Sequence, residues 1–276
     1  MLKQRVVTAL ILLALFLAAL FWLPAPGWAA LVLLMVMQGA SEWARLAQMS
    51  ASFANLFWWL TLALMGALLW LAMGFDFMHG AWLHVAVYLM AALLWLVVAP
   101  LWLWLGWQVK HPLLLALTGW AVLIPTGLAM MDLRTFDPLW LLGLMMLVWA
   151  ADIAAYFAGR RYGKRKLAPS ISPGKTWEGV YGALAAVSVC VVIVLAWNFQ
   201  PNPGYLMIAP KVVIASWCWV ALAVLGDLFE SSLKRQAGLK DSGALLPGHG
   251  GLLDRIDALT ATLPLAALAL VLIKMT

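Results

Sequence analysis

The stretch GDLFESSLKRQAGLKDSGALLPGHGGLLDRID, residues 226–257, decides how the rest of the chain is read. Roughly a third of it is charged or histidine, in a sequence where charged residues make up only 10%. Apolar runs that read as membrane spans flank it on both sides, Val212 to Leu225 and Leu259 to Ile273. Carrying an ionisable side chain to a bilayer centre costs about 2.5–3.5 kcal/mol. A sequence that keeps so many beside two spans has to offset that cost through pairing, metal binding or a watery cavity.

The spacing inside the stretch points to chemistry. A helix continued past Leu225 puts Asp227, Glu230, Ser231 and Lys234 at i, i+3, i+4 and i+7, on one face. Asp254 and Asp257 are also i and i+3, so two carboxylates point the same way at the start of the last span. Between them, Pro247 and Gly248-His249-Gly250-Gly251 form a backbone-exposing turn. Hard oxygen ligands thus sit on two helix ends, with Lys234, Arg235, Lys240 and Arg255 interleaved. Mg²⁺ is bound by one or two carboxylates plus substrate phosphates, and the cations would hold the remaining phosphate oxygens. Asp227, Asp254 and Asp257 are the expected metal ligands, in a site for a polyphosphate and a divalent ion.

Composition excludes a soluble domain. The 276 residues are 66% hydrophobic with a mean hydropathy of +0.99, whereas soluble chains run near 45–50% apolar. The expected fold is all-α, a single polytopic membrane domain over 1–276, because only helices satisfy their own backbone at this apolarity. Spans are read near 6–23, 28–44, 53–73, 81–104, 112–131, 139–158, 177–197, 211–229 and 256–273, about nine in all. Pro100 is expected to kink the fourth, and Asn198 to Pro210 reads as an external loop. Spans up to about 138 form a scaffold, and those from about 139 carry the site. Lys3 and Arg5 before an apolar run imitate a signal peptide, but the run is long for one and an uncleaved first span is the better reading.

Tryptophans near span ends (Trp22, Trp28, Trp107, Trp140, Trp177 and Trp197) fit interfacial anchoring. Cys190 and Cys218 lie mid-span and read as buried packing rather than a disulfide. With the N-terminus inside, every Lys and Arg except Arg134, Lys211 and Lys274 falls on the cytoplasmic side. That places the two richest polar loops, 159–176 and 230–255, on one face. The net charge of +6 is therefore a topology signal and not a nucleic-acid footprint. The expected location is the inner (plasma) membrane, with the N-terminus and both loops cytoplasmic. Glu42, Arg45, Asp76, His79 and His84 sit near predicted ends, where a scaffold, lipid-contact or dimer-interface role is the default.

The run Ser231-x-Leu233-Lys234-Arg235, Lys240-Asp241-x-Gly243 and Leu246-Pro247-x-His249-Gly250-Gly251-Leu252-x-Asp254-Arg255-Ile256-Asp257 resembles, without departure, the signature of the phosphatidate cytidylyltransferases. These are the integral-membrane CDP-diacylglycerol synthases. The resemblance extends over most of the C-terminal half; the N-terminal spans match only in hydrophobic character. It implies that CTP and phosphatidic acid are the substrates, that Mg²⁺ is required with a second, monovalent cation such as K⁺ beside it, and that the chain is a homodimer. The base and the lipid come wholly from the resemblance.

The candidate residues then take roles. Asp227, Lys234, Asp241, Asp254 and Asp257 are the catalytic set. Ser172, Lys175, Thr176, Arg235, Lys240, His249 and Arg255 are the substrate-binding set. Each has a blander reading: Asp254 and Asp257 as acids favoured in a helix's first turn, Asp227 as a span-end partner of Lys234 or Arg235, Lys240 and Asp241 as a solvated pair, and His249 as loop fixation. Asp152, inside the sixth span's end, lines the site or pairs with Arg160; Glu178 and Glu230 are ligands or exposed helix carboxylates.

Gly174-Lys175-Thr176 imitates a P-loop, but Pro169 stands where the motif's first glycine belongs and no strand precedes it. Ser172, Lys175 and Thr176, with the free N–H groups of a helix starting near Trp177, could bind an anion instead, with Ser172 or Thr176 as the cap. The Ser-Pro-x-Lys-Thr-x-Glu-Gly run also resembles the segment before a late span in the same family. The cations Arg160 to Lys166 read first as topology and lipid-headgroup contacts. A transporter would keep its polar site near the midplane on broken helices, unlike this chain. A CDP-alcohol phosphotransferase would show an Asp-Gly-x-x-Ala-Arg run, which is lacking; a CTP-dependent polyprenol kinase stays open.

Overall fold

The computed structural model describes residues 2–74, 77–198, 205–245 and 250–275; Asp76 and His249, both singled out in the sequence, lie outside the described residues. The helices are α1 (Leu2–Trp22), α2 (Ala25–Leu46), α3 (Ala51–Gly74), α4 (Phe77–Leu93), α5 (Ala99–Leu105), α6 (Pro112–Phe136), α7 (Pro138–Tyr162), α8 (Trp177–Asn198), α9 (Tyr205–Gln236) and α10 (Leu253–Met275). A π-helical turn at Leu94–Val98 joins α4 to α5, so the two form one continuous run. Among the described residues seven helical runs are long and apolar enough to cross a membrane. The protein is an all-α polytopic membrane protein.

Where the sequence and the structure differ, the causes are local. The expected kink at Pro100 is a π-turn ending two residues before it, an insertion that moves the i−4 carbonyl away from the proline ring. The expected loop from Asn198 to Pro210 is shorter than read, since α8 includes Asn198 and α9 starts at Tyr205 with Pro210 inside it. Most helices overrun the apolar runs, because a helix continues through its polar ends. The polar loop after α7 contains a small antiparallel hairpin, β1 (Lys166–Ala168) and β2 (Ser172–Thr176), with Lys166 opposite Thr176 and Ala168 opposite Ser172.

Helix α6 is the most enclosed span, packed by α2, α3, α4, α7 and α10. Helix α10 packs on α4 and α6 as well as on α9. Helices α7, α8 and α9 form a flanking layer with its own apolar cluster of Ala151, Ala183, Val187, Val191, Leu195 and Val220. Trp22, Trp107, Trp140, Trp177 and Trp197 are exposed, as interfacial anchors should be. Trp28 is not: it is buried, donates its indole N–H to the Met130 carbonyl at 3.2 Å and packs under Arg134. Cys190 and Cys218 are free thiols, and Cys218 is exposed rather than buried.

One contact positions the site. At Gly226 the backbones of α9 and α10 meet so closely that a Cβ there would lie 2.5 Å from the Asp257 carbonyl oxygen. Gly226→Ala is therefore expected to force the helices apart, at about 1–3 kcal/mol. Gly143→Ala, where nothing among the described residues lies within 4 Å, should be neutral or stabilising by up to about 1 kcal/mol. Thermal denaturation in detergent separates the two.

Candidate active site

The expected acidic face forms. Helix α9 continues to Gln236, so Asp227, Glu230, Ser231 and Lys234 share one side of its last turns, and the Ser231 hydroxyl donates to Asp227 Oδ1 at 3.2 Å. The helix then stops in a Schellman turn. Gly238 takes φ 69, Gly238 N donates to the Arg235 carbonyl and Leu239 N to that of Lys234.

Opposite stands the first turn of α10. Asp254 Oδ2 accepts Gly251 N at 2.8 Å and Ser242 N at 2.8 Å, and the Ser242 hydroxyl oxygen lies 3.0 Å from it. Its other oxygen accepts Lys234 Nζ at 2.8 Å. Asp254, expected as a metal ligand, thus has three donors already and holds the ammonium group across the α9–α10 seam. Lys234 also lies 3.5 Å from Glu230. Lys234 and Glu230 are both buried.

Asp227 and Asp257 come together because of the Gly226 contact, and their charges act on each other. Glu230 faces Asp257, and among the described residues neither Glu230 oxygen receives a hydrogen bond from an N–H or hydroxyl group. A cavity of about 10 Å³, room for one water-sized species, lies between Trp43, Trp95, Phe229, Glu230, Asp257 and Thr260. Among the described residues no three His, Cys, Asp or Glu side chains stand in ready ligand geometry. The donor chemistry of Asp227, Glu230 and Asp257 still fits a hard cation: clustered carboxylate oxygens, those of Glu230 buried with only Lys234 at 3.5 Å and the Asp257 carboxyl facing them among the described residues.

The second polar loop reaches the same place. Lys175, on β2, puts its Nζ 2.5 Å from Asp227 Oδ2, and Asp152 on α7 interacts electrostatically with both. Arg235 Nε donates to the Ile171 carbonyl at 3.2 Å, fixing the hairpin tip to the end of α9. Thr176 is buried, and its hydroxyl accepts Gly179 N at 3.2 Å as the cap of α8. Ser172 lies on β2 with partial exposure. Lys240, Asp241 and Arg255 are exposed, and no ion pair joins Lys240 to Asp241 among the described residues.

Glu178 accepts the backbone N–H groups of Lys164 at 3.1 Å and Arg165 at 3.2 Å, which folds the cationic loop against α8. Beside it a concavity of about 440 Å³ is lined by Arg161, Tyr162, Gly163, Lys164 and Glu178.

Two sequence readings change. Glu42, placed at a wet span end, is 4% exposed and accepts Leu252 N and Leu253 N, the orphan donors at the start of α10, at 2.8 and 2.9 Å. No sequence signal flagged it, since its partners lie about two hundred positions away. His84 is also buried, with Nδ1 2.7 Å from Asp132, which accepts the Tyr88 hydroxyl at the same distance.

The fold and these clustered charges define an integral-membrane protein with a phosphate- and cation-compatible site at the ends of its spans. Comparison with known sequences places it further. The sequence model of the cytidylyltransferase family matches residues 3–273. The chain is 40% identical to the phosphatidate cytidylyltransferase of Haemophilus influenzae, covering 96% of each chain. It is likewise 40% identical to that of Pseudomonas aeruginosa, over 97% of this chain and 96% of the relative. A Brucella suis phosphatidate cytidylyltransferase is 48% identical across 43% of this chain and 42% of its own. The chain belongs to the cytidylyltransferase family.

The Lys234 clamp has a measurable consequence. Lys234→Met leaves Asp254 and Glu230 facing one another without a cation and should cost about 3–5 kcal/mol. Adding Asp254→Asn should restore part of the loss. Melting temperatures of both variants in detergent, read as a double-mutant cycle, test it.

Proposed function

We propose that this chain is a phosphatidate cytidylyltransferase that joins CTP and phosphatidic acid into CDP-diacylglycerol and releases pyrophosphate. The observation that carries this reading is the likeness to two phosphatidate cytidylyltransferases over nearly the full length of both. The meeting of Lys175 with Asp227 supports it, since it brings the two polar loops into one site.

An oxygen of the lipid phosphate attacks the α-phosphorus of CTP in line. The new P–O bond forms as the bond from the α-phosphorus to the bridging oxygen breaks, and that electron pair leaves with pyrophosphate. The attacking phosphate is already ionised, so no side chain has to remove a proton. Lys175, Arg235, Lys240 and Arg255 neutralise the phosphates, with Ser172 and His249 as further phosphate contacts. Lys234, fixed by Asp254, presents charge at the seam of α9 and α10. Asp241 steers the cations of its loop, and Thr176 holds Lys175 in place through the α8 cap. Catalysis is positioning plus electrostatic stabilisation.

Asp227 and Asp257, with Glu230 behind them, would hold Mg²⁺, and a monovalent ion such as K⁺ would share the same carboxylates. When bound, Mg²⁺ supplies charge neutralisation for the nucleotide phosphates. The acyl chains stay in the bilayer while the headgroup meets CTP from the cytoplasm. The positive-inside distribution supports that orientation in the inner membrane. A homodimer is part of the same reading.

Purified protein given radiolabelled CTP, phosphatidic acid and Mg²⁺ should form CDP-diacylglycerol, and turnover should stop when Mg²⁺ is withheld and return with it. Asp227→Asn, Asp254→Asn and Asp257→Asn should each abolish turnover at normal expression. Wild-type rates in these variants would remove the assignments. Transfer to a polyprenol in place of phosphatidic acid would point to a kinase instead.

A further inference from the structure

Helix α2 belongs to the N-terminal half, yet one edge of it grips the loop that carries the acidic signature. Gln38, Glu42 and Arg45 succeed one another along that edge, and Gln48 follows in the turn that ends the helix. Arg45 Nη2 donates to the Asp241 carbonyl at 2.9 Å, and Gln48 Nε2 to the Ala237 carbonyl at 3.2 Å. Between them Glu42 is buried and has four donors. Oε1 accepts Gln38 Nε2 at 2.9 Å and Leu252 N at 2.8 Å; Oε2 accepts the Ser242 hydroxyl and Leu253 N, each at 2.9 Å.

The loop is shaped for this carboxylate. A Cβ at Gly243 would lie 2.5 Å from Glu42 Oε1, and one at Gly251 would lie 2.4 Å from Oε2. Only glycine at both positions lets the backbone close around it. Ser242 is fully buried, and its hydroxyl stands between two carboxylates, 2.9 Å from Glu42 and 3.0 Å from Asp254. Its backbone N–H goes to Asp254, whose far oxygen holds Lys234.

From this we infer that Glu42 is a positioning residue for the reaction, setting Lys234 through Ser242 and Asp254. The inference rests on the cytidylyltransferase reading above. A buried carboxylate serving only to hold α2 against α10 would need the two α10 amides and no more. Here it also takes the hydroxyl proton of the serine whose backbone N–H serves Asp254. Glu42→Gln keeps the size but turns an NH₂ group toward N–H or O–H donors, so the loop must shift by a fraction of an ångström. Displacements of about 1 Å around a catalytic group lower rates by up to about 10²-fold.

The experiment compares wild type, Glu42→Gln and Ser242→Ala in the CTP and phosphatidic acid assay, normalised to folded protein measured by thermal denaturation in detergent. The expected result for Glu42→Gln is a kcat lower by about 10–100-fold, with the KM for CTP changed less than about threefold, because the proposed CTP contacts of Lys175, Arg235 and Lys240 are untouched. Ser242→Ala should lower kcat in the same way, and the double variant should be no worse than the poorer single one. A kcat per folded molecule equal to wild type in Glu42→Gln overturns the inference, as does a loss shared equally by kcat and folded fraction. If Glu42→Gln does not accumulate, Ser242→Ala decides, and an unchanged kcat there overturns it. Absence of product from wild type would sink the proposed function and this inference with it, whereas active wild type with indifferent variants sinks the inference alone.

Discussion

The constraint on which the structure depends is the gathering of like charge at the seam of α9 and α10. Asp227, Glu230, Asp254 and Asp257 come from two helices whose backbones touch at Gly226. Carboxylates in such a place repel one another and lose hydration, and each would be costly alone. Lys234 offsets part of this from within α9 by bonding Asp254 and facing Glu230. Lys175 offsets another part from outside, reaching Asp227 from the hairpin. The remainder, Glu230 and Asp257 with no N–H or hydroxyl hydrogen bond to Glu230 among the described residues, is where a cation would gain most.

The surrounding fold meets that constraint with backbone. The N–H groups of Ser242 and Gly251 serve Asp254, and those of Leu252 and Leu253 serve Glu42. Those of Leu252 and Leu253 are groups a helix start leaves unpaired in any case, and with the loop amides they make the approach to α10 an anion-binding surface for two internal carboxylates. The ends of α2 and α9 repeat one device on the same side. Both stop in Schellman turns, at Gln48 with φ 50 and at Gly238 with φ 69, and Gln48 bonds across to Ala237. The scaffold half is thereby tied to the polar half through loops as well as through packed spans.

Much of this was legible in the sequence, and the parts that were not share a cause. Span positions follow from apolar length, and the α9 face follows from a 3.6-residue period, because both are local properties. The resemblance of residues 231–257 to one family pointed to the chemistry that the full-length relatives carry. Glu42 was read as a wet span end because its partners are Ser242, Leu252 and Leu253, a pairing that no local period reveals. Trp28 looked like an interfacial anchor, yet Met130 and Arg134 enclose it. The hairpin escaped notice because strands of three and five residues rich in Gly, Pro and Lys carry no alternation. The cap expected at Ser172 or Thr176 is Thr176, whose hydroxyl starts α8.

The central claim is that Asp227 and Asp257, brought together by the Gly226 contact, form the cation-binding pair of this family member. The most direct measurement is anomalous diffraction from crystals of the protein soaked with Mn²⁺ and CTP. The account predicts one strong peak within about 2.3 Å of oxygens from both residues, near the distances of Mg²⁺-like ligation. A peak bound elsewhere, with Asp227 and Asp257 free of metal, would contradict it.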